Sequence, residues 1–162
     1  MQVAIRPYKN SDITVLLDLF RATVHTVAAR YYTPEQVRAW APLNLSDDEQ
    51  HNMETTWSTR LALQITLVAE VDNSIVGFIS MTHEGHLDLL YVDKEHQAQG
   101  VAYLLFKQIE SIAREKRIGH ITTHASNMAV PLAKRIGFAI IKEDIVERRG
   151  VFMPRYEMIK KL

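Results

Sequence analysis

The residues with the clearest chemical potential lie in a polar loop that separates an apolar run from an amphipathic one. Residues 93–99 form this loop, and it ends at Gly100. A strand that turns through such a loop into a helix directs several backbone N–H groups to one point, where the helix dipole adds positive charge. Gly100 and Ala102 have almost no side chain, so an anion can approach the backbone closely. The spacing indicates an anion site suited to a phosphate or pyrophosphate.

Two common phosphate-binding loops do not match this segment. It lacks the Gly-Lys-Ser/Thr ending of a P-loop. Only one of the three glycines of a dinucleotide-binding fingerprint is present. On these residues alone, the alternative remains open that Gly100 simply permits a tight turn.

The elements around the loop follow from the spacing of apolar residues and from turn signals. The first half predicts a strand over residues 2–6, a helix over 13–27, a short helix after Pro34 and a helix from Ser46 towards Leu61, with Ser46 and Glu49 as a capping box. The second half predicts strands over 65–70, 75–81, 86–92 and 118–124, helices over 101–113 and 129–136, and a closing hairpin of strands 138–146 and 151–159. Hairpins mixed with crossovers favour an α/β (α+β) fold around one central sheet.

The composition of the chain excludes several classes of protein. A chain of 162 residues with 47% hydrophobic content suits one domain, over residues 1–162. Lys plus Arg equals Asp plus Glu, at 19 each, which argues against nucleic acid and anionic membranes as partners. The absence of cysteine excludes disulfides and cysteine nucleophiles. Without a signal-peptide pattern or a long apolar run, we expect a cytoplasmic protein.

A family resemblance extends this interpretation. Gln97-x-x-Gly100-x-Ala102, placed after Leu90-Tyr91-Val92, resembles the pyrophosphate-binding signature of the GNAT acetyltransferases. The later Ile136-Gly137-Phe138 resembles the Leu-Gly-Phe ending of the family's second element. The resemblance implies a mostly antiparallel sheet of about six to seven strands flanked by helices, in which the strand at residues 90–92 splays from the strand at 121–124.

The resemblance also implies acetyl-CoA as the acetyl donor. Backbone groups of Leu90, Tyr91 and Val92 would bind the pantetheine and polarise the thioester carbonyl. The pyrophosphate would be held by backbone N–H groups of the loop, namely Gln97, Ala98, Gln99, Gly100, Val101 and Ala102. Ser126 or Asn127 stands near the position of a frequent family asparagine and would reach the pantetheine.

Members of this family usually transfer the acetyl group directly to an amine, which needs a proton acceptor and a proton donor. The position of the frequent tyrosine acid holds Ala133, so Tyr156 or a water is the substitute acid that we expect. Glu84, His86 and Asp88 are the candidate bases. The alternative for His86 and Asp88 is a solvated or hydrogen-bonded pair. The His83-Glu84-x-His86 spacing does not match a helical zinc motif, so no metal is expected.

The acceptor side is the least defined. The first two helices of this fold usually wall the acceptor pocket, and Tyr31, Tyr32 and Trp40 cluster there. Their alternative role is packing of helices on the sheet, and Arg148-Arg149 is expected to form a solvated hairpin turn. The expected function is N-acetylation of a primary amine on a small molecule or peptide, by a monomer or homodimer. The alternative is a non-catalytic acyl-CoA-binding regulator.

Overall fold

Seven strands form one sheet in the computed structural model, which describes all 162 residues. The strands are β1 (Ala4–Pro7), β2 (Ile65–Val71), β3 (Ser74–Met81), β4 (His86–Val92), β5 (His120–Ala125), β6 (Ala139–Arg148) and β7 (Val151–Lys161). Their order across the sheet is β1-β2-β3-β4-β5-β7-β6. Only β4 and β5 pair in parallel. The predicted mixed, mostly antiparallel sheet is therefore confirmed.

Five α-helices flank the sheet. They are α1 (Ile13–Thr26), α2 (Pro34–Trp40), α3 (Asp47–Leu63), α4 (Val101–Glu115) and α5 (Val130–Arg135). The capping box predicted for α3 is present, because the Glu49 backbone N–H donates to Ser46 Oγ at 3.2 Å. Thr33 caps α2 in the same way through Gln36. No helix combines the length and the apolar character that crossing a bilayer requires.

The helices pack on both faces of the sheet, and each face has its own apolar cluster. On the α1–α3 face, the buried side chains of α1 pack with Leu61, Phe78 and Tyr91. On the α4–α5 face, Leu105, Phe106 and Ile109 of α4 pack against the opposite side of the same strands. Burial of both faces gives the sheet its stability, and any ligand that reaches both layers has to pass through the sheet.

The strand predicted to begin at residue 118 begins two residues later. Arg117 has a positive φ of 59°, and the Ile118 backbone N–H donates to Ala113 O at 2.9 Å. This bond belongs to the C-terminal turn of α4, since left-handed residues commonly end helices. Ile118 is thus held by the end of the helix, and β5 begins at His120.

Candidate active site

The central feature of the site is a gap between β4 and β5. The two strands pair only through His86 with Thr122 and Leu87 with Thr123, whereas β3 pairs with β4 over most of its length. Thr123 Oγ1 donates to Leu87 O at 2.9 Å at the end of the short contact. Beyond that point the strands diverge, which confirms the predicted splay. The second half of β4 consequently has no strand partner on the side away from β3.

Such an edge calls for a ligand, because buried backbone groups need hydrogen-bond partners. At the far end of β4, Val92 O is already bonded by Thr23 Oγ1 at 3.1 Å and by the side-chain amide of Gln97. These contacts fix the end of the strand. An extended ligand that carries amide groups can pair with the rest of the open edge.

The loop after β4 presents a run of free backbone donors. None of the N–H groups of residues 97–103 donates a hydrogen bond within the chain. Ala98 and Gly100 have positive φ angles of 57° and 85°, and Gly100 is the N-cap of α4. Successive donors in such a turn form a concave anion site, which the dipole of a 15-residue helix strengthens. The loop is therefore open, as an anion site requires.

Side chains within the loop hold its shape. Asp93 Oδ2 accepts from the Glu95 backbone N–H at 3.1 Å and from His96 Nδ1 at 3.0 Å. Gln97 donates to Val92 O, and Gln99 Nε2 donates to Glu95 O at 3.2 Å. The glutamines thus stabilise the turn with their side chains and leave the backbone N–H groups available.

Two adjoining cavities occupy the gap and the loop. The loop cavity, of about 470 Å³, lies against residues 96–98 and 100–103. The through-sheet cavity, of about 320 Å³, is lined from the α1–α3 face by Trp57 and from the α4–α5 face by Phe138. The residues that line both are Leu90, Tyr91, Met128, Ala129 and Leu132. A single ligand can thus reach from the anion site into the gap.

Aromatic side chains form the wall of the through-sheet cavity on the α1–α3 face. Tyr32 and Trp40 meet edge to face at 5.6 Å, and Phe20 and Trp57 lie 4.8 Å apart between ring centroids. The Tyr32 hydroxyl donates to Pro154 O at 3.2 Å and accepts from the Asn127 backbone N–H at 2.8 Å. Burial raises the pKa of this phenol, which keeps it neutral. Tyr32 therefore ties β7 to the segment before α5 while it lines the cavity.

Two of the candidate bases, His86 and Asp88, line this cavity, but the strand between them is not regular. Met81 pairs with Leu87 and Ser80 with Leu89, so Asp88 is a bulged residue. Arg60 donates to both Asp88 oxygens, at 2.5 and 2.7 Å. Burial alone would raise the pKa of Asp88, but the hydrogen bonds from Arg60 and Gln64 outweigh it and lower that pKa. Asp88 is accordingly an ionised, paired carboxylate.

His86 is held by a hydroxyl instead of a charge. Its Nδ1 lies 2.9 Å from Thr122 Oγ1, and its ring centroid lies 5.1 Å from that of His124. Burial lowers the pKa of His124, and the nearby positive charge of Arg155 adds to this. Both imidazoles line the through-sheet cavity.

Several residues predicted for the site lie outside both cavities. Tyr156 is half-buried on the α4–α5 face and lines neither cavity. Glu84 is exposed in the β3–β4 turn, and Tyr31 is 51% exposed. Gln99 and Asn127 also lie outside the cavity walls, whereas Ser126 lines the through-sheet cavity. Alternation along a strand does not reveal which face opens onto a cavity, and this is why Tyr156 is misplaced by sequence reasoning.

The expected solvated turn at Arg148-Arg149 holds for Arg149, which is exposed, but is wrong for Arg148, which is half-buried. Arg149 and Gly150 form the turn itself, with φ angles of 49° and 78°. Arg149 Nη1 donates to Ala39 O at 2.7 Å. Arg148 lies 5.3 Å from the ring centroid of Trp40 and lines the through-sheet cavity. The physical reason is that α2 packs against β7, which brings acceptors and an aromatic face to the tip of the hairpin.

Sequence reasoning also missed Arg60, Arg155, Phe20 and Trp57 as cavity residues. Phe20 and Trp57 carry the ordinary helical spacing of core residues, so no separate signal marks them. Arg60 and Arg155 are ordinary surface types in a helix and a strand. Only the tertiary contact with the gap between β4 and β5 sets these four residues apart.

The geometry agrees with known proteins. Residues 28–160 match the family described as the acetyltransferase (GNAT) domain. Over 156 residues, the chain is 33% identical to the uncharacterized N-acetyltransferase YafP of Escherichia coli K12, covering 96% of this chain and 94% of YafP.

Solved structures show the same fold. A GCN5-related N-acetyltransferase from Rhodopseudomonas palustris superposes with a TM-score of 0.91 at 28% identity, covering 100% of this chain and 97% of that one. The PaiA N-acetyltransferase of Thermoplasma acidophilum, in complex with coenzyme A, superposes with a TM-score of 0.76 at 20% identity over the full length of both chains.

Proposed function

The chain belongs to the GNAT acetyltransferase family, and on this premise we propose that it transfers an acetyl group from acetyl-CoA to a primary amine of a small molecule or peptide. The observation that carries the proposal is the run of free N–H groups over residues 97–103, which stands beside an open strand edge. One element offers an anion site and the other offers partners for amides. Acetyl-CoA has a diphosphate and an amide-containing arm in the matching order.

We assign the diphosphate to the backbone donors of the loop and the pantetheine arm to the edge of β4. The loop cavity is lined by Leu90, Tyr91 and Val92 and by all of the predicted loop residues except Gln99. We keep Ser126 as a proposed pantetheine contact, since it lines the adjoining cavity. Asn127 lines neither cavity, and its backbone N–H donates to the Tyr32 hydroxyl. The complex of PaiA with coenzyme A supports this placement by analogy of fold.

In the transfer that we propose, the neutral amine nitrogen attacks the thioester carbonyl carbon. The C–N bond forms, the C–S bond breaks, and coenzyme A leaves as a thiol after it gains a proton. Attack leaves one extra proton on the nitrogen, and a base must take that proton. His86 is the candidate in the cavity wall, because Asp88 already accepts two hydrogen bonds from Arg60.

A second candidate function is a non-catalytic acyl-CoA-binding regulator. The observation that favours it is the cavity wall at α5, where Ala133 stands at the position of the frequent tyrosine acid while Tyr156 lies outside. This alternative predicts acetyl-CoA binding without thiol release for any amine. Thiol release with one amine would exclude it.

We further propose that residues 1–162 act as one acetyltransferase domain. The support is that the sheet draws strands from Ala4–Pro7 at one end of the chain and from Val151–Lys161 at the other. Removal of β1 would expose the edge of β2, so we expect a chain that lacks residues 1–9 to lose solubility.

The loop assignment is tested by a charge placed at Gly100. A side chain there meets no atom within 4 Å, so it projects into open space at the N-terminus of α4. Gly100→Glu should weaken acetyl-CoA binding at least roughly tenfold more than Gly100→Gln, because a carboxylate beside a diphosphate repels it by a few kcal/mol. Isothermal titration measures both affinities, and circular dichroism checks the fold.

The glutamine variant is the matched control. Both substitutions bear the same strain from a φ of 85°, so their difference isolates the charge. Equal affinity of the two variants for acetyl-CoA would contradict the assignment of the diphosphate to this loop.

A further inference from the structure

One cationic side chain in the through-sheet cavity has no acidic partner. Three arginines line this cavity. Arg60 is bonded by Asp88, and Arg155 Nε donates to Asp144 Oδ2 at 2.9 Å. Arg148 forms no ion pair, and its hydrogen-bond partner is Met153 Sδ at 3.6 Å, a weak acceptor. The cavity therefore holds one positive charge in excess.

The position of Arg148 is fixed by its surroundings. Arg148 is the last residue of β6 and pairs with Val151 across the hairpin. Its guanidinium lies over the Trp40 ring at 5.3 Å from the centroid, and the neighbouring Arg149 donates to Ala39 O. Burial lowers the pKa of Arg148, yet a guanidinium stays protonated at neutral pH. The strand and the turn thus keep a permanent charge at the cavity wall.

A half-buried charge without a counterion is unfavourable, and an anionic ligand group relieves it. The guanidinium fork matches the two oxygens of a carboxylate, and those of Arg60 and Arg155 are already paired with carboxylates of the chain. Burial lowers the pKa of His124, which disfavours a charge on that ring. Arg148 is therefore the natural site for an anion.

The phosphates of the acetyl donor are not that anion. Arg148 does not line the loop cavity, where the free N–H groups of residues 97–103 lie. It lies instead over Trp40 and lines the through-sheet cavity, whose α1–α3 wall also carries the rings of Phe20, Tyr32 and Trp57. Those four rings favour an apolar or planar group next to the anion.

We propose that the acceptor is a primary amine that also carries a carboxylate, as in an amino acid with an apolar side chain, and that Arg148 binds this carboxylate. The inference rests on the proposed function, since it names the acceptor class of the same site. Arg148 acts here as a specificity-determining residue. The aromatic wall receives the side chain of the acceptor, and the amine points into the gap between β4 and β5.

The two tryptophans of the chain provide a binding assay that needs no turnover. Both Trp40 and Trp57 line the through-sheet cavity, so a ligand there changes the intrinsic fluorescence of the protein. The probes are acetylated products, namely N-acetyl-phenylalanine and N-acetyl-leucine. Each is compared with its neutral counterpart without the carboxylate, N-acetyl-phenethylamine and N-acetyl-isoamylamine, in the presence of coenzyme A.

We expect the carboxylate probe to bind roughly ten to a hundred times more tightly than its neutral counterpart, the range of one charged hydrogen-bonded contact. Arg148→Gln should abolish this preference, and Arg148→Lys should retain part of it without the bidentate fork. Arg38→Gln is the matched control, because Arg38 is exposed on α2 and lines neither cavity. It should keep the full preference.

Other outcomes overturn the inference. They are equal binding of charged and neutral probes, an unchanged preference in Arg148→Gln, or no binding of any carboxylate probe. Because the preference is a ratio within one variant, a loss of stability in Arg148→Gln does not affect it.

A turnover assay separates this inference from the proposed function. Thiol release from acetyl-CoA is measured with phenylalanine, leucine, phenethylamine and isoamylamine. No release with any amine, together with a preserved carboxylate preference in binding, would contradict catalysis and leave the anion site standing. Equal release with amino acids and neutral amines would contradict the anion site and leave catalysis standing.

Discussion

At the scale of single residues, His86 and Asp88 both line the through-sheet cavity but differ in their hydrogen-bond partners. Asp88 accepts bonds from Arg60 and Gln64, which keep it charged and occupy its oxygens. His86 is bonded at Nδ1 only to a hydroxyl. A base for an amine proton needs an available lone pair, so the imidazole is the better candidate.

We expect His86→Gln to lower kcat roughly a hundredfold with the best acceptor, since a positioned general base contributes about 10²–10⁴ in rate. The affinity for acetyl-CoA should stay unchanged, because His86 lies outside the loop cavity. The pH–rate profile should lose the limb that depends on the imidazole. Steady-state kinetics over a range of pH measure both effects.

The control for this prediction is His83→Gln. His83 is exposed in the turn before β4 and lines neither cavity. Its rate and pH profile should match the parent protein. An unchanged pH–rate profile in His86→Gln would contradict His86 as the base, and the neighbouring His124 would then be the next candidate.

At the scale of elements, Arg6 and two carboxylates connect β1 to the start of α1. Arg6 donates to both oxygens of Asp12, each at 2.9 Å, and also to Glu70 of β2. Asp12 is 7% exposed, and it also accepts from the Lys9 backbone N–H at 2.8 Å. The hydrogen bond from Arg6 lowers the pKa of Asp12 from its ordinary value of 3.8, although burial opposes it.

Asp12→Asn should therefore cost about 1–3 kcal/mol of unfolding free energy at neutral pH. A carboxylate with a lower pKa in the folded chain contributes stability above its ordinary pKa of 3.8, and this is lost as the pH falls through the folded value. The difference between parent and variant should shrink towards acid. Urea unfolding at several pH values measures it.

The control for this pair is Asp18→Asn. Asp18 is 71% exposed at the side chain and lies 3.6 Å from Arg21. An exposed pair of this kind contributes little. A constant penalty for Asp12→Asn from neutral to acid pH would contradict an ionised Asp12 in the folded chain.

Much of the fold is predictable because its signals are local. Ser46 with Glu49, and Pro34 after Thr33, mark helix starts through bonds within one turn. Arg149 with Gly150 marks the last hairpin, since both adopt positive φ angles. Even Pro131 is explained locally, because α5 begins at Val130 and a proline in the first turn removes no helical bond.

The site is less predictable because its walls come from distant elements. The loop at residues 97–102 carries its chemistry in consecutive backbone groups, so its pattern is visible in the sequence. The acceptor side is assembled from α1, α2, α3, β6 and β7. Arg148 turns inwards because Trp40 of α2 packs against the hairpin, and no spacing rule connects residues 108 positions apart.

At the scale of the whole molecule, the sheet is the layer that the ligand must cross. Paired strands separate the apolar clusters on its two faces. The pairing is interrupted between β4 and β5, where it ends at Leu87 and Thr123. A donor bound in this gap would supply bonds that the two strands do not make with one another. Binding should therefore stabilise the centre of the protein more than its edges.

We expect acetyl-CoA at a hundred times its dissociation constant to raise the free energy of unfolding by about 2.7 kcal/mol. For a chain of this size, that corresponds to a rise in Tm of roughly 5–10 °C. Differential scanning fluorimetry measures the shift. Gly100→Glu should remove it, while Gly100→Gln should retain a part that follows its weaker affinity.

Hydrogen exchange should show where this stabilisation acts. The N–H groups of residues 97–103 have no partner within the chain, so they should exchange fast alone and slowly with acetyl-CoA. The open half of β4, residues 89–92, should also gain protection. Residues 139–145 of the edge strand β6 should not change, because they lie outside both cavities. Protection spread evenly over the sheet, with none at 97–103, would show that the donor binds elsewhere and that the gap is only a packing defect.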